Sequence, residues 1–487
     1  MVTMTNLSEI LFDRNKNNVD KIAYVEENST ITYGELEHRT RCVATWLVAQ
    51  QINPGDRVLI ALFDKIDTVV SFLATVLVGG IAVMTNPRTK NNNLNYQIDH
   101  TTPKLILAET VLIKSNVIKS NIPTFSTEQI IAVIASLLPY TQHSGTSLTD
   151  VAFMLWTSGT SGHSKAVMHS HNNAIIPTQN IFVDVFNITP NDKIYSTAKL
   201  FFAYGINYLI FGTMWQGAQA YIDPGIFNVA RVRRILTTYN PTAFFSVPII
   251  YRQLIVDDTT IDLVARCFSA GDKLPDIILQ KWVNYSQQKI HNIMGTTECL
   301  NCFIFNTNGS NSSLGTVTKG YDVRIVDTDN IVVRQGQIGI LQVKSDNSGI
   351  GYFNDLEWTE KTFKKWVSTG DLCYQDEHDY FWYVGRASDT IKIHGQYINP
   401  SELEDTLLNY NGIQQAAVIA KPGKDDIDDI EVFVVPFKDV KLDSTKLKQW
   451  ILNKHEKYMC PKIIHIVDDL PRTDTGKLER YKLKIVN

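Results

Sequence analysis

An apolar strand-like run, Phe153 to Trp156, opens directly into Thr157-Ser158-Gly159-Thr160-Ser161-Gly162-His163-Ser164-Lys165. Glycines permit tight backbone turns there, the hydroxyls add donors, and Lys165 adds positive charge. Exposed backbone N–H groups in such a turn suit the oxygens of a polyphosphate. The loop is not a Walker loop, because the spacing from glycine to lysine is wrong and Ala166 follows the lysine instead of Ser or Thr. Taken alone, it is equally compatible with a solvated Gly/Ser loop.

The sequence around this loop alternates helical and strand signals. Thr32 with Glu35 makes a capping-box pattern, and Leu36, Val43 and Leu47 share one helical face. Strand-like runs follow at Val58 to Leu62, Leu105 to Ala108 and Ala243 to Val247. The alternation predicts an α/β fold in layers. From about Gly315 short strands separated by turns (Val323 to Val326, Ile338 to Val343, Phe381 to Val384) predict a β-rich subdomain. After Gly385-Arg386 the pattern restarts. Asn399-Pro400-Ser401-Glu402 reads as a helix start, strand-like Ala416 to Ala420 and Glu431 to Val435 follow, and a helix begins near Ser444. The chain therefore divides into a large N-terminal domain of several subdomains, residues 1–386, a hinge at 387–388, and a small α+β domain, 389–487.

Composition excludes several classes of function. A length of 487 residues suggests roughly three units of about 150 residues. A net charge of −4 gives no broad attraction to nucleic acid or anionic membrane, so a bound polyanion needs a local site. The six cysteines do not form a disulfide framework, and the Cys299/Cys302 pair lacks further zinc ligands; both read as reduced thiols near a pocket. Residues Met1 to Asn18 hold no signal-peptide pattern, and Val69 to Met84 reads as a buried helix and strand instead of a membrane span. A cytoplasmic location is expected.

Further along come Met294-Gly295-Thr296-Thr297-Glu298, Ser368-Thr369-Gly370-Asp371, Gly385-Arg386 and Pro471-Arg472-Thr473-Asp474-Thr475-Gly476-Lys477. In this order, with the Thr157–Lys165 loop, they resemble the motifs of the adenylate-forming superfamily: acyl- and aryl-CoA ligases, peptide-synthetase adenylation domains and luciferases. The resemblance runs from Thr32 to Lys477. It implies ATP and Mg²⁺ as cofactors, a small mobile C-terminal domain, and formation of an acyl-adenylate that a thiol then attacks. Glu298 resembles the Mg²⁺ carboxylate and Thr297 its partner at the phosphates; Asp371 resembles the acceptor of the ribose hydroxyls, and Arg386 a residue at ribose or phosphate oxygens. Asn292 falls where the adenine amino group is met, Met294 where an aromatic residue is common, and Lys477 where a lysine reaches the α-phosphate and the carboxylate. Ser388 occupies the hinge position usually held by Asp or Lys, while Lys392 and Gly395 resemble residues brought to the thiol side. Ser164 and Ala166 replace a usual proline and glycine in the phosphate loop.

The segment Ala198 to Gly205 is similar to that of benzoate- and hydroxybenzoate-CoA ligases, and Gly295 to Cys302 continues the similarity. By that likeness Phe202 gates the acyl carboxylate, and Ala203, Tyr204, Ala270, Gly271, Gly295, Asn301 and Cys302 wall an aryl pocket. The family commonly has His and an aliphatic residue where this chain has Asn301 and Cys302. A small aryl acid, hydroxylated or amino-substituted, is the expected substrate. CoA is the expected acceptor, with the phosphopantetheine arm of a separate acyl carrier protein as the alternative.

Overall fold

The computed structural model describes residues 5–157, 164–255, 261, 265–309, 311–346, 348–393, 396–422, 428–472 and 478–483. Its first sheet grows from short runs that are apolar on both faces. Arg57–Ala61, Ile81–Met84 and Leu105–Ala108 are buried almost throughout and pair in parallel. Such strands need helices on both sides. One is Ile66–Leu77, buried at Ile66 and from Thr68 to Leu77, which runs into Ile81–Met84 as the sequence predicts. Tyr33–Ala49 packs in the same core, started by the full capping box (Glu35 N–H to Thr32 Oγ1, 3.2 Å; Thr32 N–H to Glu35 Oε2, 2.9 Å), and Asn91–Thr101 sends Leu94 and Ile98 to the opposite face. Val151–Thr157 extends this sheet in parallel, and Lys165–Ser170 and Gly351–Tyr352 close its edge antiparallel.

A second, nine-stranded sheet has a parallel centre: Lys193–Ser196, Ala243–Ser246, Arg266–Ser269 and Ile290–Gly295. The two sheets share one hydrophobic core rich in aromatic rings. Phe245 stacks on Phe268 (centroids 4.5 Å) and on Tyr208 (4.3 Å), a rigid floor under the carboxyl ends of these strands. In open α/β sheets those ends line the ligand crevice. The segments bearing Phe202, Ala270–Gly271 and Thr296–Glu298 all follow from them.

The predicted β-rich subdomain is a four-stranded antiparallel sheet of Asp322–Val326, Gly339–Lys344, Val367–Gln375 and Phe381–Arg386. A short 3-10 turn, Ala387–Asp389, then leads to a smaller α+β domain. There Asn399 caps helix Pro400–Leu408 by accepting from Ser401 N–H (3.1 Å), and Ile413–Pro422, Asp428–Pro436 and Ile463–Ile466 form a sheet. Its buried cores start at Ile391, whereas the cores of the large domain end at Phe381. The fold is thus mixed α/β with a large N-terminal and a smaller C-terminal domain. The domains touch through an ion pair of Lys273 with Asp405 and a bond from Arg252 Nη2 to Ile413 O (3.1 Å). Among the described residues, no helix is long and apolar enough to cross a membrane.

Candidate active site

Glu298 projects from a turn that only glycine can open. A Cβ on Gly295 would lie 2.8 Å from Asn301 O, so its absence lets strand Cys302–Phe305 return against Ile290–Gly295. Cys299 N–H donates to Thr296 Oγ1 (3.2 Å) and Leu300 takes a left-handed φ of 59°, which completes the reversal. Glu298 O accepts from Gly349 N–H (2.7 Å), and Glu298 Oε1 accepts from the Tyr352 hydroxyl (2.7 Å). Burial, with the neighbouring Glu298 charge, pushes the Tyr352 phenol upward, so it stays a proton donor.

Lys165 reaches the same place from the first sheet. Its ammonium lies 3.1 Å from the Trp358 ring centroid and 5.4 Å from that of Tyr352. Burial lowers its pKa, and Asp355 and Glu298 act against that. Strand Gly351–Tyr352 pairs with Lys165–Ser170, and so carries Tyr352 between Lys165 and Glu298.

Asp371 and Arg386 are direct cross-strand partners, joined from Nε to Oδ1 at 2.9 Å. Arg386 Nη1 also donates to Thr369 O (2.7 Å), and Asp371 N–H to Thr369 Oγ1 (3.1 Å). Burial works against the Arg386 charge, but Asp371, Glu298 and other neighbours outweigh it and raise its pKa. Two residues expected to act separately at the nucleotide are therefore one coupled pair. Asn292 is buried, and its Nδ2 donates to Ser312 O (3.2 Å) and Ser313 O (3.3 Å). That fixes the carboxamide oxygen as the acceptor it can turn to a ligand, two residues along the strand from half-buried Met294.

The residues expected to wall the acyl pocket come from three segments. Phe202 precedes helix Ala203–Ile206 and packs edge-on against Phe201 (4.5 Å). Tyr204 spends its hydroxyl on Ser246 O (3.2 Å) and Phe268 O (3.3 Å), so it offers the wall its ring and no free donor. Ala270 is buried after strand Arg266–Ser269, and Gly271 has a φ of 88° that favours glycine. Asn301 is buried, and its Oδ1 accepts from Cys302 N–H (2.8 Å). Burial pushes the Cys299 thiol up to about 12 and the Cys302 thiol in the same direction, so neither serves as a thiolate. No cluster of three or more His, Cys, Asp or Glu fit to hold a metal occurs among the described residues.

A cleft runs between the domains beside this site, lined by Pro248, Asp272, Arg386, Asp389, Glu404, Arg472, Leu478 and Arg480 among others. Arg472 and Leu478 pair with each other at its edge. The intervening Lys477 lies outside the described residues, as do Ser158, Gly159, Thr160, Ser161, Gly162, Gly395 and the side chain of Lys392. Thr157, at the end of its strand, pairs with Lys165 across the mouth of the phosphate loop. In the 3-10 turn Ala387–Asp389, Ser388 Oγ donates to Asp389 Oδ1 (3.3 Å), and Asp389 in turn pairs with Arg480 (3.3 Å). No local motif marks Tyr352 or Trp358, because only tertiary packing brings them to Glu298 and Lys165.

The family model described as AMP-binding enzyme matches residues 11–353, and that of the AMP-binding enzyme C-terminal domain matches residues 402–477. The chain is 28% identical to 3-hydroxybenzoate–CoA ligase of Aromatoleum sp. (strain CIB), over 96% of this chain and 93% of that one. It is 27% identical to anthranilate–CoA ligase of Pseudomonas aeruginosa, over 99% and 97%. A solved benzoate CoA ligase from Burkholderia xenovorans LB400 superposes with a TM-score of 0.92 at 26% identity, covering 99% and 100% of the two chains. With a family model spanning well over half its length, the chain belongs to the AMP-binding enzyme family.

Proposed function

We propose that this enzyme activates a small aryl carboxylic acid with ATP and transfers the acyl group to the thiol of CoA. In the first step a carboxylate oxygen forms a bond to the α-phosphorus, and the bond from that phosphorus to pyrophosphate breaks. In the second, the thiol sulfur attacks the acyl carbonyl, AMP leaves, and the thiol proton passes to solvent. The relatives named above carry benzoate, hydroxybenzoate and anthranilate in their names, and all are CoA ligases.

One arrangement supports the reading: the segments bearing Phe202 and the Glu298–Asn301 turn follow strands of one sheet, and the Glu298 charge acts on Arg386, the partner of Asp371 on a neighbouring sheet. Asn292 and Met294 would take the adenine, and Asp371, oriented by Arg386, the ribose hydroxyls. The fit to Mg²⁺ rests on oxygen chemistry: Glu298 is a carboxylate with one oxygen held by Tyr352 and the other left to bind. Bound there, Mg²⁺ would supply charge neutralisation between phosphate oxygens. Thr157 through Gly162 and Lys165 would hold the phosphates, Thr296 and Thr297 would border them, and Lys477 would stabilise the charge that gathers as carboxylate meets phosphate. Residues 387–388 would serve as the hinge between 1–386 and 389–487, with Lys392 and Gly395 on the thiol side.

Asn301 supports a substituted ring. An NH₂ donor buried in an aryl pocket favours an acid carrying an acceptor such as a hydroxyl, because the unsubstituted ring leaves the donor unpaired. Incubation with ATP, Mg²⁺, CoA and a hydroxy- or aminobenzoate, followed by mass spectrometry, tests the proposal. Equal amounts of AMP and aryl-CoA are expected; AMP without thioester would exclude CoA as the acceptor.

A further inference from the structure

Asp64 stands apart from every motif, yet it is only 3% exposed and carries a carboxylate into the interior. It follows strand Arg57–Ala61 of the first sheet, and both of its oxygens accept from Leu200 N–H (3.2 and 3.1 Å) in the second. Leu200 belongs to the turn that precedes the acyl wall. Phe202 N–H donates to Lys199 O (3.0 Å), and a Cβ on Gly205 would lie 2.0 Å from that same carbonyl. The turn and the first helical turn after it are therefore locked together, and Asp64 holds them from below.

We propose that Asp64 is a positioning residue of the acyl pocket, fixing the Lys199–Phe202 turn through the Leu200 amide and so the placement of Phe202, Ala203 and Tyr204. This rests on the acyl-pocket reading above. The charged groups facing Asp64 are Lys199 and Arg88, which favour its ionised form, and Asp223, which opposes it. Both cations are shared: Lys199 Nζ donates to Asp223 O (2.6 Å) and Arg88 Nη2 to Pro224 O (2.8 Å). Burial is the largest influence and lifts the carboxyl to about 6, against the pull of Lys199 and the Leu200 amide. The anchor thus changes charge near neutral pH, and a protonated carboxyl accepts the amide bond more weakly.

Two measurements test this. In steady-state kinetics the acid KM of the wild type should rise as pH falls through about 6, while the ATP KM stays level. Asp64→Asn keeps an acceptor oxygen but cannot ionise; its acid KM should be raised about fivefold and be flat with pH, the scale of one charge-assisted bond made neutral. Asp64→Ala should raise it further. In hydrogen exchange, which needs no turnover, the peptide spanning Leu200 should exchange about tenfold faster in Asp64→Ala, at a temperature where that variant is fully folded. An unchanged exchange rate at Leu200, or acid and ATP KM values that move together in Asp64→Asn, would overturn the proposal. Failure of the aryl-acid reading has another signature: the wild type itself releases no pyrophosphate with any aryl acid, while the exchange result stands.

Discussion

The Tyr352 hydroxyl donates to Glu298 Oε1 at 2.7 Å, and this bond ties the edge strand of one sheet to the turn that ends a strand of the other. The carboxylate proposed to meet Mg²⁺ is thus held by one oxygen, with its direction set before any ligand arrives. Tyr352 thereby orients Glu298.

Tyr352→Phe removes that bond and leaves the ring packed edge-on against Phe363. A hydrogen bond to a charged group contributes about 1.5–3 kcal/mol. The variant should therefore need more Mg²⁺ for half-maximal pyrophosphate release, by about tenfold, with a small change in melting temperature. Binding of Mg·ATP followed by calorimetry should weaken in parallel. An unchanged Mg²⁺ requirement would remove Tyr352 from the account.

Asn301 Oδ1 accepts from Cys302 N–H, and its NH₂ group is the donor proposed to meet a ring substituent. Asn301→Leu should lower the preference for hydroxybenzoate over benzoate by at least about tenfold, since a lost polar match in a pocket is worth about 1–3 kcal/mol. The ratio of kcat/KM for the two acids measures it directly.

His169 and His171 are buried, and burial pushes them down to about 3 and about 4, with the Thr297 backbone and Asp150 respectively opposing. The unfolded chain takes up these protons near pH 6.5, whereas the folded chain refuses them until the lower values. Their contribution is therefore fully present above pH 6.5 and is lost as pH falls below it. In His169→Phe, which keeps a ring against Phe153, the fall in unfolding free energy between pH 6 and 5 should be shallower by about 1.4 kcal/mol per pH unit. Urea unfolding at the two pH values reads the difference.

Much of the fold was legible because its signals are local. The capping box at Thr32 and Glu35, the Asn399 cap and the uninterrupted apolar runs at Val58 and Leu105 each need only a few neighbouring residues. The motif residues could be named in the same way, but their partners could not. Tyr352 lies 54 residues from Glu298, and Asp64 lies 136 from Leu200, so only sheet pairing and packing join them. The donor that Asn301 presents was equally hidden. It follows from the left-handed Leu300 and the bond to Cys302, and no local spacing specifies either.

Pyrophosphate release across a panel of carboxylic acids, with wild-type enzyme and Lys477→Ala side by side, tests aryl-acid activation and its catalytic lysine together. Hydroxy- or amino-substituted benzoates should give the highest kcat/KM, and Lys477→Ala should lose about a hundredfold or more with every acid, the scale of a lost transition-state charge contact. Medium-chain fatty acids outperforming every benzoate would exclude an aryl acid as the substrate, and full activity in Lys477→Ala would exclude Lys477 from the chemistry.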